Sequence, residues 1–291
     1  MERAGFVSIV GITSVGKSSL VNTLIGEKIA IVSGKPQSTR KTMNVILSSE
    51  TSQVIFVDTP GLHAPRNRLG EIMINSITKS IKGCDSILYL SEASAKPYFA
   101  KELLDFFKLK KPVDLCFTKS DLKPDLKVED IQIPKEFPFR KVFLTSAKKN
   151  TGTEELKNYL FENMPEGPFL YPEDDITDVT SRYIVEEFIR EVVCHNMKDE
   201  IPFGVAVMVD EYKERKKGKL YIHASIFCER ETHKGIIIGN QGAMIKQVGQ
   251  DGRKLLEEFT EQSVFLELKV KVRKNWRKND LFLKYFGYND K

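Results

Sequence analysis

The stretch GITSVGKS, residues 11–18, matches the pattern G-x-x-x-x-G-K-[S/T] and decides the fold of the first half of the chain. It follows an apolar, strand-like run at residues 6–10 and opens a helical pattern at residues 17–25. Glycines in such a loop let successive backbone N–H groups turn toward a phosphate, and the start of the helix adds partial positive charge. Lys17 would neutralise the β- and γ-phosphates, and the Ser18 hydroxyl would ligate Mg²⁺. We therefore expect a loop that binds a nucleoside triphosphate.

On either side of this loop, short β-branched or aromatic runs alternate with amphipathic stretches. The predicted strands are residues 6–10, 44–47, 54–57, 86–90, 113–117 and 141–144, and the predicted helices are residues 17–25, 70–81 and 153–163. Such alternation is typical of a mostly parallel sheet covered by helices. The first half is therefore expected to be an α/β domain.

A second fold class is predicted after residue 164. The run MPEGPFLYP, residues 164–172, is rich in proline, which ends helices and indicates a linker. Beyond it we expect a helix at 181–195, strands at 205–209 and 219–227, two helices around Gly239 and Gly242, and a strand at 264–272. The predicted boundaries are residues 1–164 for the first domain, 165–176 for the linker and 177–291 for the second domain.

Composition excludes several classes of protein. The chain has 291 residues, of which 41% are hydrophobic and 29% charged, values that exclude disordered, collagen-like and coiled-coil chains. Its apolar runs are shorter than the about 18 residues of a membrane span, and the chain enters a strand-like run too early for a signal peptide, so we expect a cytoplasmic protein. The net charge of +5 suggests an acidic partner. Four widely spaced cysteines are expected to be buried free thiols: Cys84, Cys116, Cys194 and Cys228.

The run DTPG, residues 58–61, follows the predicted strand 54–57. That strand would deliver a carboxylate to the edge of the sheet beside the phosphate-binding loop. Asp58 is expected to hold Mg²⁺ through a water molecule, and the N–H of Gly61 to meet the γ-phosphate. Both contacts end when the γ-phosphate leaves, so the segment after Gly61 is predicted to be a switch.

The run TKSD, residues 118–121, indicates which base is bound. The Asp121 carboxylate can accept from N1–H and the 2-amino group of guanine, and adenine offers neither donor, so the site would reject ATP. The segment 146–148 supplies a backbone N–H for the guanine oxygen. The residues expected to bind GTP or GDP are Gly11, Ser14, Val15, Gly16, Lys17, Ser18, Ser19, Asp58, Gly61, Thr118, Lys119, Asp121, Ser146, Ala147 and Lys148.

Three further segments carry a resemblance to a known family. KPQSTR at residues 35–40 resembles the KPQTTR segment of the Era family of bacterial GTPases, GIIIGNQGAMIK at 235–246 resembles the KH motif of that family, and LELKVKV at 266–272 resembles its last strand. The resemblance covers essentially the whole chain in the right order. It implies a P-loop GTPase domain with a mixed, mostly parallel sheet, followed by an α+β type II KH domain.

The resemblance also assigns roles in catalysis. Thr39 becomes the switch I threonine, which completes the Mg²⁺ shell with Ser18 and Asp58 and contacts the γ-phosphate when GTP is bound. Lys17, Thr39 and Gly61 are then the expected catalytic groups, and GTP with Mg²⁺ the expected ligands.

Three positions differ from the usual patterns. Leu62 stands where many GTPases place a glutamine that orients the attacking water, and the Era family shares this apolar residue, so slow intrinsic hydrolysis is expected. Ser14 replaces a P-loop asparagine associated with K⁺ binding, which puts stimulation by K⁺ in doubt. Thr118 replaces an asparagine that braces the P-loop, while guanine selectivity should survive through Asp121. His63, beside the switch, is interpreted as a bystander.

The GNQG turn at residues 239–242 predicts nucleic-acid binding in the second half. Two glycines let the backbone approach a single strand, and the next helix begins facing a phosphate. Family members usually carry lysine where Gln241 and Met244 stand here, so weaker binding is expected. The candidate RNA contacts are Gly239, Asn240, Gln241, Gly242, Lys246, Arg253, Lys271 and Arg273.

The resemblance implies binding to the single-stranded 3′ tail of 16S rRNA and a role in assembly of the 30S ribosomal subunit by a monomeric protein. It leaves peripheral association with the inner membrane open. A second hypothesis, kept open by Leu62 and Ser14, is a GTP-gated RNA-binding module with negligible turnover. A metabolic enzyme is disfavoured, because the sequence offers no constellation for a second substrate.

Overall fold

The computed structural model describes residues 1–32, 35, 37–215 and 218–288, so Pro36 of the KPQSTR segment lies outside the described residues. Contacts divide the chain into two structural units. Unit 1 comprises Met1–Ala30, Thr39–Ala64 and Met73–Asp178, and unit 2 comprises Ile31–Ser38, Pro65–Ile72 and Val179–Lys291. The short segments on either side of the predicted switch residues therefore cluster with the C-terminal part of the chain.

Unit 1 contains a six-stranded sheet. Its strands are β1 Arg3–Gly11, β2 Met43–Ser48, β3 Ser52–Asp58, β4 Ser86–Glu92, β5 Val113–Thr118 and β6 Val142–Leu144. Their order is β2-β3-β1-β4-β5-β6, and β2 runs antiparallel to β3 while the other pairs are parallel. Strands such as β4 are buried along nearly their whole length, as expected when helices cover both faces of a sheet. The predicted mixed, mostly parallel sheet is confirmed.

Among the described residues up to 164 there are four α-helices, and one of them was missed by the sequence patterns. They are α1 Lys17–Ile25, α2 Arg68–Gly83, α3 Leu103–Phe107 and α4 Thr153–Glu162. The helix α2 starts earlier than predicted because the side-chain oxygen of Asn67 accepts a hydrogen bond from the N–H of Gly70 at 3.0 Å. The helix α3 has only five residues, which is too short for helical periodicity to be visible in the sequence.

The predicted linker packs along the edge of the sheet of unit 1. The buried amide of Gln53 accepts from the N–H groups of Leu170 and Tyr171 at 2.9 and 3.0 Å and donates to the carbonyl of Tyr171 at 2.9 Å. Further along, Asn44 donates from its backbone and side chain to Asp178 at 3.1 and 2.8 Å. The segment is thus held by a buried polar network, in which each amide atom of Gln53 has a partner.

Unit 2 has the order α-β-β-α-α-β that the sequence predicts. Its main elements are α5 Ser181–Asn196, β7 Ala206–Arg215, β8 Lys219–Cys228, α6 Glu231–Ile238, α7 Ala243–Thr260 and β9 Ser263–Val272. The strand β8 pairs antiparallel with β7 and parallel with β9, which makes this an α+β fold.

A further helix, α8 Asp280–Tyr285, follows the predicted elements of unit 2. It begins where the side chain of Asn279 accepts from the N–H groups of Leu281 and Phe282. Trp276 just before it is fully buried and donates its indole N–H to the carbonyl of Gly204 at 2.9 Å, so its role is packing.

Two expectations of the sequence analysis concern the chain as a whole. All four cysteines are free and buried, as predicted. Within the described ranges, no helix combines the length and the apolar character that crossing a bilayer requires.

Candidate functional site

The phosphate-binding loop lies between the end of β1 and the start of α1. Gly16 caps α1 with φ = +101°, in the left-handed region that glycine adopts without strain. A Cβ atom on Gly11 would lie 2.5 Å from the carbonyl oxygen of Leu90, so a side chain there would displace β4. Ser14 is exposed at φ = +61°. The two glycines of the motif are therefore required by the backbone: Gly16 by its left-handed conformation and Gly11 by the close approach of β4.

Lys17 turns back over the loop. Its ammonium group donates to the carbonyl oxygens of Gly11 at 3.2 Å and Ile12 at 2.9 Å, and the residue is only 6% exposed. Burial lowers the pKa of Lys17 to about 8, although the negative charge of Asp58 raises it. A phosphate anion beside this group would favour its charged form. The loop therefore presents a desolvated cation and backbone N–H groups to an anion.

Three oxygen-bearing side chains meet beside the loop. The Ser18 hydroxyl donates to Oδ2 of Asp58 at 2.9 Å and lies 3.0 Å from the Thr39 hydroxyl. Asp58 is fully buried, and among the described residues its other oxygen, Oδ1, has no hydrogen-bond partner. Burial raises the pKa of Asp58 to about 6, opposed by the charge of Lys17 and the hydrogen bond from Ser18.

A buried carboxylate oxygen without a partner is costly unless a cation or water satisfies it. Hydroxyl and carboxylate oxygens are also the ligands that Mg²⁺ prefers. The oxygens of Ser18, Thr39 and Asp58 therefore fit a Mg²⁺ ion. When bound, Mg²⁺ offsets negative charge on the phosphate oxygens.

The DTPG turn lies against the phosphate-binding loop. A Cβ atom on Gly61 would come within 2.8 Å of the backbone nitrogen of Thr13, so only glycine fits. The next residue, Leu62, donates its N–H to the carbonyl of Gly11 at 2.9 Å and is 9% exposed. Its side chain belongs to the core cluster of unit 1 and offers nothing to orient water. The ring nitrogen Nδ1 of His63 lies 2.7 Å from the carbonyl oxygen of Gly61.

A cavity of about 250 Å³ adjoins the loop on the side of β5. Its lining consists of Gly16, Ser19, Leu20, Thr118, Lys119, Asp121, Leu122, Thr145, Ala147 and Lys148. Most of these residues were predicted to surround the base. Leu20, Leu122 and Thr145 were not, because an apolar or small side chain in a lining has no motif of its own.

Polar contacts fix the base-binding residues in this cavity. The Thr118 hydroxyl donates to the carbonyl of Val15, so threonine braces the loop with its single hydroxyl where an asparagine is usual. The Ser146 hydroxyl donates to Oδ1 of Asp121 at 2.5 Å. This hydrogen bond is the main reason that the pKa of Asp121 is lowered, with burial opposing it and lysine charges contributing less. Asp121 is thereby kept ionised, as an acceptor for two N–H donors must be.

The GNQG turn joins α6 to α7 in unit 2. Gly239 has φ = +75° and ψ = 172°, a combination that is nearly exclusive to glycine, and a Cβ there would lie 2.8 Å from the backbone nitrogen of Met244. Gly242 has φ = +78°, and a Cβ there would make only an ordinary contact, 3.9 Å from Cγ2 of Ile245. The turn Asn240–Gly242 is not a regular 3₁₀ helix, because Gln241 has φ = +47° and ψ = 29°, in the left-handed region.

A groove of about 410 Å³ runs beside this turn between α7 and β9. It is lined by Ile245, Lys246, Gly249, Gln250, Arg253, Val264, Phe265, Leu266 and Leu268. Two of the candidate RNA contacts, Lys246 and Arg253, line this groove, and both are exposed.

The structure does not bring Lys271 and Arg273 into this described lining. The ammonium group of Lys271 lies 3.8 Å from the Asp210 carboxylate, and the guanidinium of Arg273 lies 5.8 Å from the centre of the Phe227 ring. Successive side chains of a strand point to opposite faces. Leu266 and Leu268 reach the glycines of α7, so Lys271, an odd number of residues away, points to the other face of the sheet.

Comparisons with known proteins agree with this arrangement. Residues 6–119 match the family model described as 50S ribosome-binding GTPase, and residues 200–277 match the model of the KH domain. GTPase Era from Thermoanaerobacter sp. (strain X514) is 46% identical over 295 residues, covering 99% of this chain and 97% of the relative. GTPase Era from Carboxydothermus hydrogenoformans is 41% identical over 296 residues, covering 99% and 98%.

Two solved structures match at a TM-score of 0.92. One is an Aquifex aeolicus Era variant bound to GDP and AlF4⁻, 33% identical, with 98% of this chain and 99% of that chain covered. The other is Era in complex with MgGDPNP and nucleotides 1506–1542 of 16S ribosomal RNA, 34% identical, with 99% of each chain covered. Since relatives of this similarity extend over nearly the whole length of the chain, the chain belongs to the Era family of GTPases.

Proposed function

We propose that this chain is a GTP-hydrolysing switch that binds the single-stranded 3′ end of 16S rRNA and assists assembly of the 30S ribosomal subunit. One observation carries the proposal: the same chain holds a guanine-type base cavity around Asp121 and a GxxG turn beside an exposed basic groove. The solved Era complex with MgGDPNP and a 16S rRNA segment supports it. In this proposal the residues predicted from the sequence act as assigned, except Lys271 and Arg273, which lie outside the described lining of the groove. The domains extend over residues 1–164 and 177–291.

Slow hydrolysis is more consistent with the site than a module with negligible turnover. The Thr39 hydroxyl lies beside Ser18, where it can join the Mg²⁺ shell and contact the γ-phosphate. Lys17 is positioned over the loop to offset charge that develops on the phosphates. The low rate follows from Leu62, whose buried side chain leaves positioning of the water to backbone groups, Mg²⁺ and a stimulating partner.

Substitution of Gly242 tests the RNA-binding half of the proposal. Gly242→Asp adds a negative charge where a phosphate approaches, whereas Gly242→Asn adds a side chain of the same shape without charge. Both residues tolerate the left-handed region at φ = +78° better than other side chains do. We expect Gly242→Asp to bind an oligonucleotide of the 16S 3′ tail at least about tenfold more weakly than Gly242→Asn does.

Fluorescence anisotropy at one fixed salt concentration measures this difference, with circular dichroism to check folding and GTP affinity as the internal control. Equal RNA affinity of the two folded variants and the wild type would remove the GNQG turn from the RNA site.

We further propose that the protein is a cytoplasmic monomer that also associates peripherally with anionic membranes. Exposed apolar side chains and lysines occur together around α3: Tyr98, Lys101, Leu104, Lys108, Leu109 and Lys110. Glu102 and Asp105 are also exposed there, and Asp105 pairs with Lys108 at 2.6 Å. Such a surface combines apolar contact with attraction to anionic headgroups. Co-sedimentation with phosphatidylglycerol vesicles, but not with phosphatidylcholine vesicles, is expected, and Leu104→Asp should reduce it while Leu170→Asp should not. Sedimentation equilibrium reports the oligomeric state.

A further inference from the structure

A buried arginine outside the nucleotide site contacts the stretch of chain that leads to the switch threonine Thr39. We call this stretch, residues 31–39, the switch I segment. Arg190 of α5 is 1% exposed, and its Nε and Nη2 atoms donate to the Glu187 carboxylate at 2.9 and 2.6 Å. Burial works to lower the pKa of Arg190, but the charge and hydrogen bonds of Glu187 raise it further, so the group stays cationic. A buried charge is costly even when paired. The hydrogen-bond partners of Arg190 therefore indicate why a charged side chain is buried at this position.

Arg190 holds the end of the segment that leads to Thr39. Its Nη2 atom also donates to the carbonyl oxygen of Ser38. One residue further along α5, the Glu191 carboxylate accepts from the N–H of Val32 at 3.3 Å. All of these residues belong to unit 2. Two neighbouring residues of α5 therefore contact the switch I segment, one near the start of the segment and one near its end.

A restraint on the carbonyl of Ser38 also restrains Thr39, because that carbonyl belongs to the planar peptide group that joins the two residues. The two residues are joined by one peptide bond, which fixes their Cα atoms about 3.8 Å apart. The Thr39 hydroxyl in turn lies 3.0 Å from that of Ser18, in the group of oxygens that fits Mg²⁺. A carbonyl held by a cationic donor has less freedom than one held by water, because hydrogen bonds to charged groups are stronger. Arg190 thus restrains the backbone immediately before the switch threonine.

We propose that Arg190 is a positioning residue for GTP hydrolysis, which holds switch I so that Thr39 stays beside Ser18 and Asp58. This inference rests on the proposed GTPase function. The contact of Thr39 with the γ-phosphate exists only in the triphosphate state. Arg190 therefore favours the GTP-bound state over the GDP-bound state, since a contact stabilises a ligand only where the two states differ in it.

The test compares Arg190→Lys with Arg182→Lys, the same substitution at an exposed position of the same helix. Lysine keeps the charge but lacks the fork that reaches both Glu187 and Ser38. With Mg²⁺ present, we expect Arg190→Lys to bind a non-hydrolysable GTP analogue about tenfold more weakly and to hydrolyse GTP more slowly in a single turnover. GDP affinity should stay within about twofold of wild type. Arg182→Lys should match the wild type in all three measurements.

Two further variants separate positioning from folding. Glu187→Gln removes the carboxylate that orients Arg190 without changing the shape of the side chain, so it should show the same selective loss to a smaller extent, and it decides the question if Arg190→Lys does not fold. In a Thr39→Ala background, Arg190→Lys should leave the affinity for the GTP analogue unchanged, because Arg190 acts through Thr39.

Equal losses of GDP and GTP-analogue affinity would overturn the inference, as would unchanged GTP-analogue affinity in a folded Arg190→Lys variant. Additive effects of Arg190→Lys and Thr39→Ala would overturn it as well. If the wild type itself neither bound nor hydrolysed GTP, the proposed function would fail, and the inference with it. A wild type that hydrolyses GTP together with a variant that shows no selectivity would overturn the inference alone.

Discussion

The nucleotide site and the groove proposed to bind RNA differ in how their charged groups meet water. In the nucleotide site Lys17 and Asp58 are buried and close enough to shift each other's pKa. In the groove Lys246 and Arg253 are exposed to water. Coulomb interactions are several times stronger at a buried site than in water, where salt also screens them. A single group should therefore matter more in the first region than in the second.

The two regions also differ in how closely their backbones are packed. Side chains at Gly11 and Gly61 would collide with backbone atoms of neighbouring elements. At Gly242 a Cβ would meet only an ordinary contact with Ile245, at 3.9 Å, so the backbone conformation alone favours glycine there. The nucleotide site is therefore a preformed receptor for one ligand class, whereas the groove is a surface whose contacts add up gradually.

Lys17→Ala should have the largest effect, because it removes the buried cation of the phosphate-binding loop. Loss of a hydrogen bond from a charged group costs about 1.5–3 kcal/mol, or about 10- to 150-fold in GTP affinity. Equilibrium binding of a fluorescent GTP analogue measures the loss, and Lys123→Ala, an exposed lysine outside the base-cavity lining, serves as the control. GTP affinity of Lys17→Ala within about threefold of wild type would contradict this expectation, since the buried charge would then contribute no more than an exposed one.

Asp121→Asn should shift base selectivity from guanine to xanthine. The carboxylate accepts from two donors of guanine, whereas an amide can donate to the 2-oxo group of xanthine. We expect GTP affinity to fall by about 1–3 kcal/mol and the preference of GTP over XTP to be lost. Competition between the two nucleotides measures this, with Asp125→Asn as an exposed control. An unchanged preference for GTP would show that Asp121 does not recognise the base. Its carboxylate would then serve as an acceptor for the hydroxyl of Ser146.

Sequence was most informative where one motif constrains both a strand and a helix. The helix predicted at residues 17–25 has the same bounds as α1, because the phosphate-binding loop specifies where β1 ends and α1 begins. Short helices were missed: α3 has five residues and α8 has six, fewer than two helical turns. For α8 a signal was present, since Asn279 is a good N-cap residue, but one cap without periodicity is weak evidence.

Contacts between residues far apart in the chain could not be predicted from the sequence, for a different reason. Arg190 interrupts the apolar residues of α5, a pattern that signals a buried charge, yet nothing in the sequence says that its partner is the carbonyl of Ser38, 152 positions away. The position of Lys271 could have been inferred, because strand alternation separates it from Leu266 and Leu268. The sequence analysis listed Lys271 with Lys246 among the candidate RNA contacts without applying this alternation.

Lys246→Ala should have the smallest effect, and it tests whether contacts in the groove are as independent as their exposure implies. Lys246 lines the groove, whereas Lys254, on the same helix and equally exposed, does not belong to the described lining. Exposed ion pairs contribute up to about 1 kcal/mol, so RNA affinity of Lys246→Ala should fall by at most about fivefold. Because a phosphate contact releases a counterion, the slope of log affinity against log salt should also fall by about 0.7 for a single strand. Lys254→Ala should change neither quantity. Titrations of the 16S tail at several salt concentrations give both numbers. A much larger loss for Lys246→Ala would show that a single exposed contact in this groove can dominate RNA affinity, as a buried group does in the nucleotide site. An equal loss for Lys254→Ala would show that RNA binding does not depend on the lining of this groove.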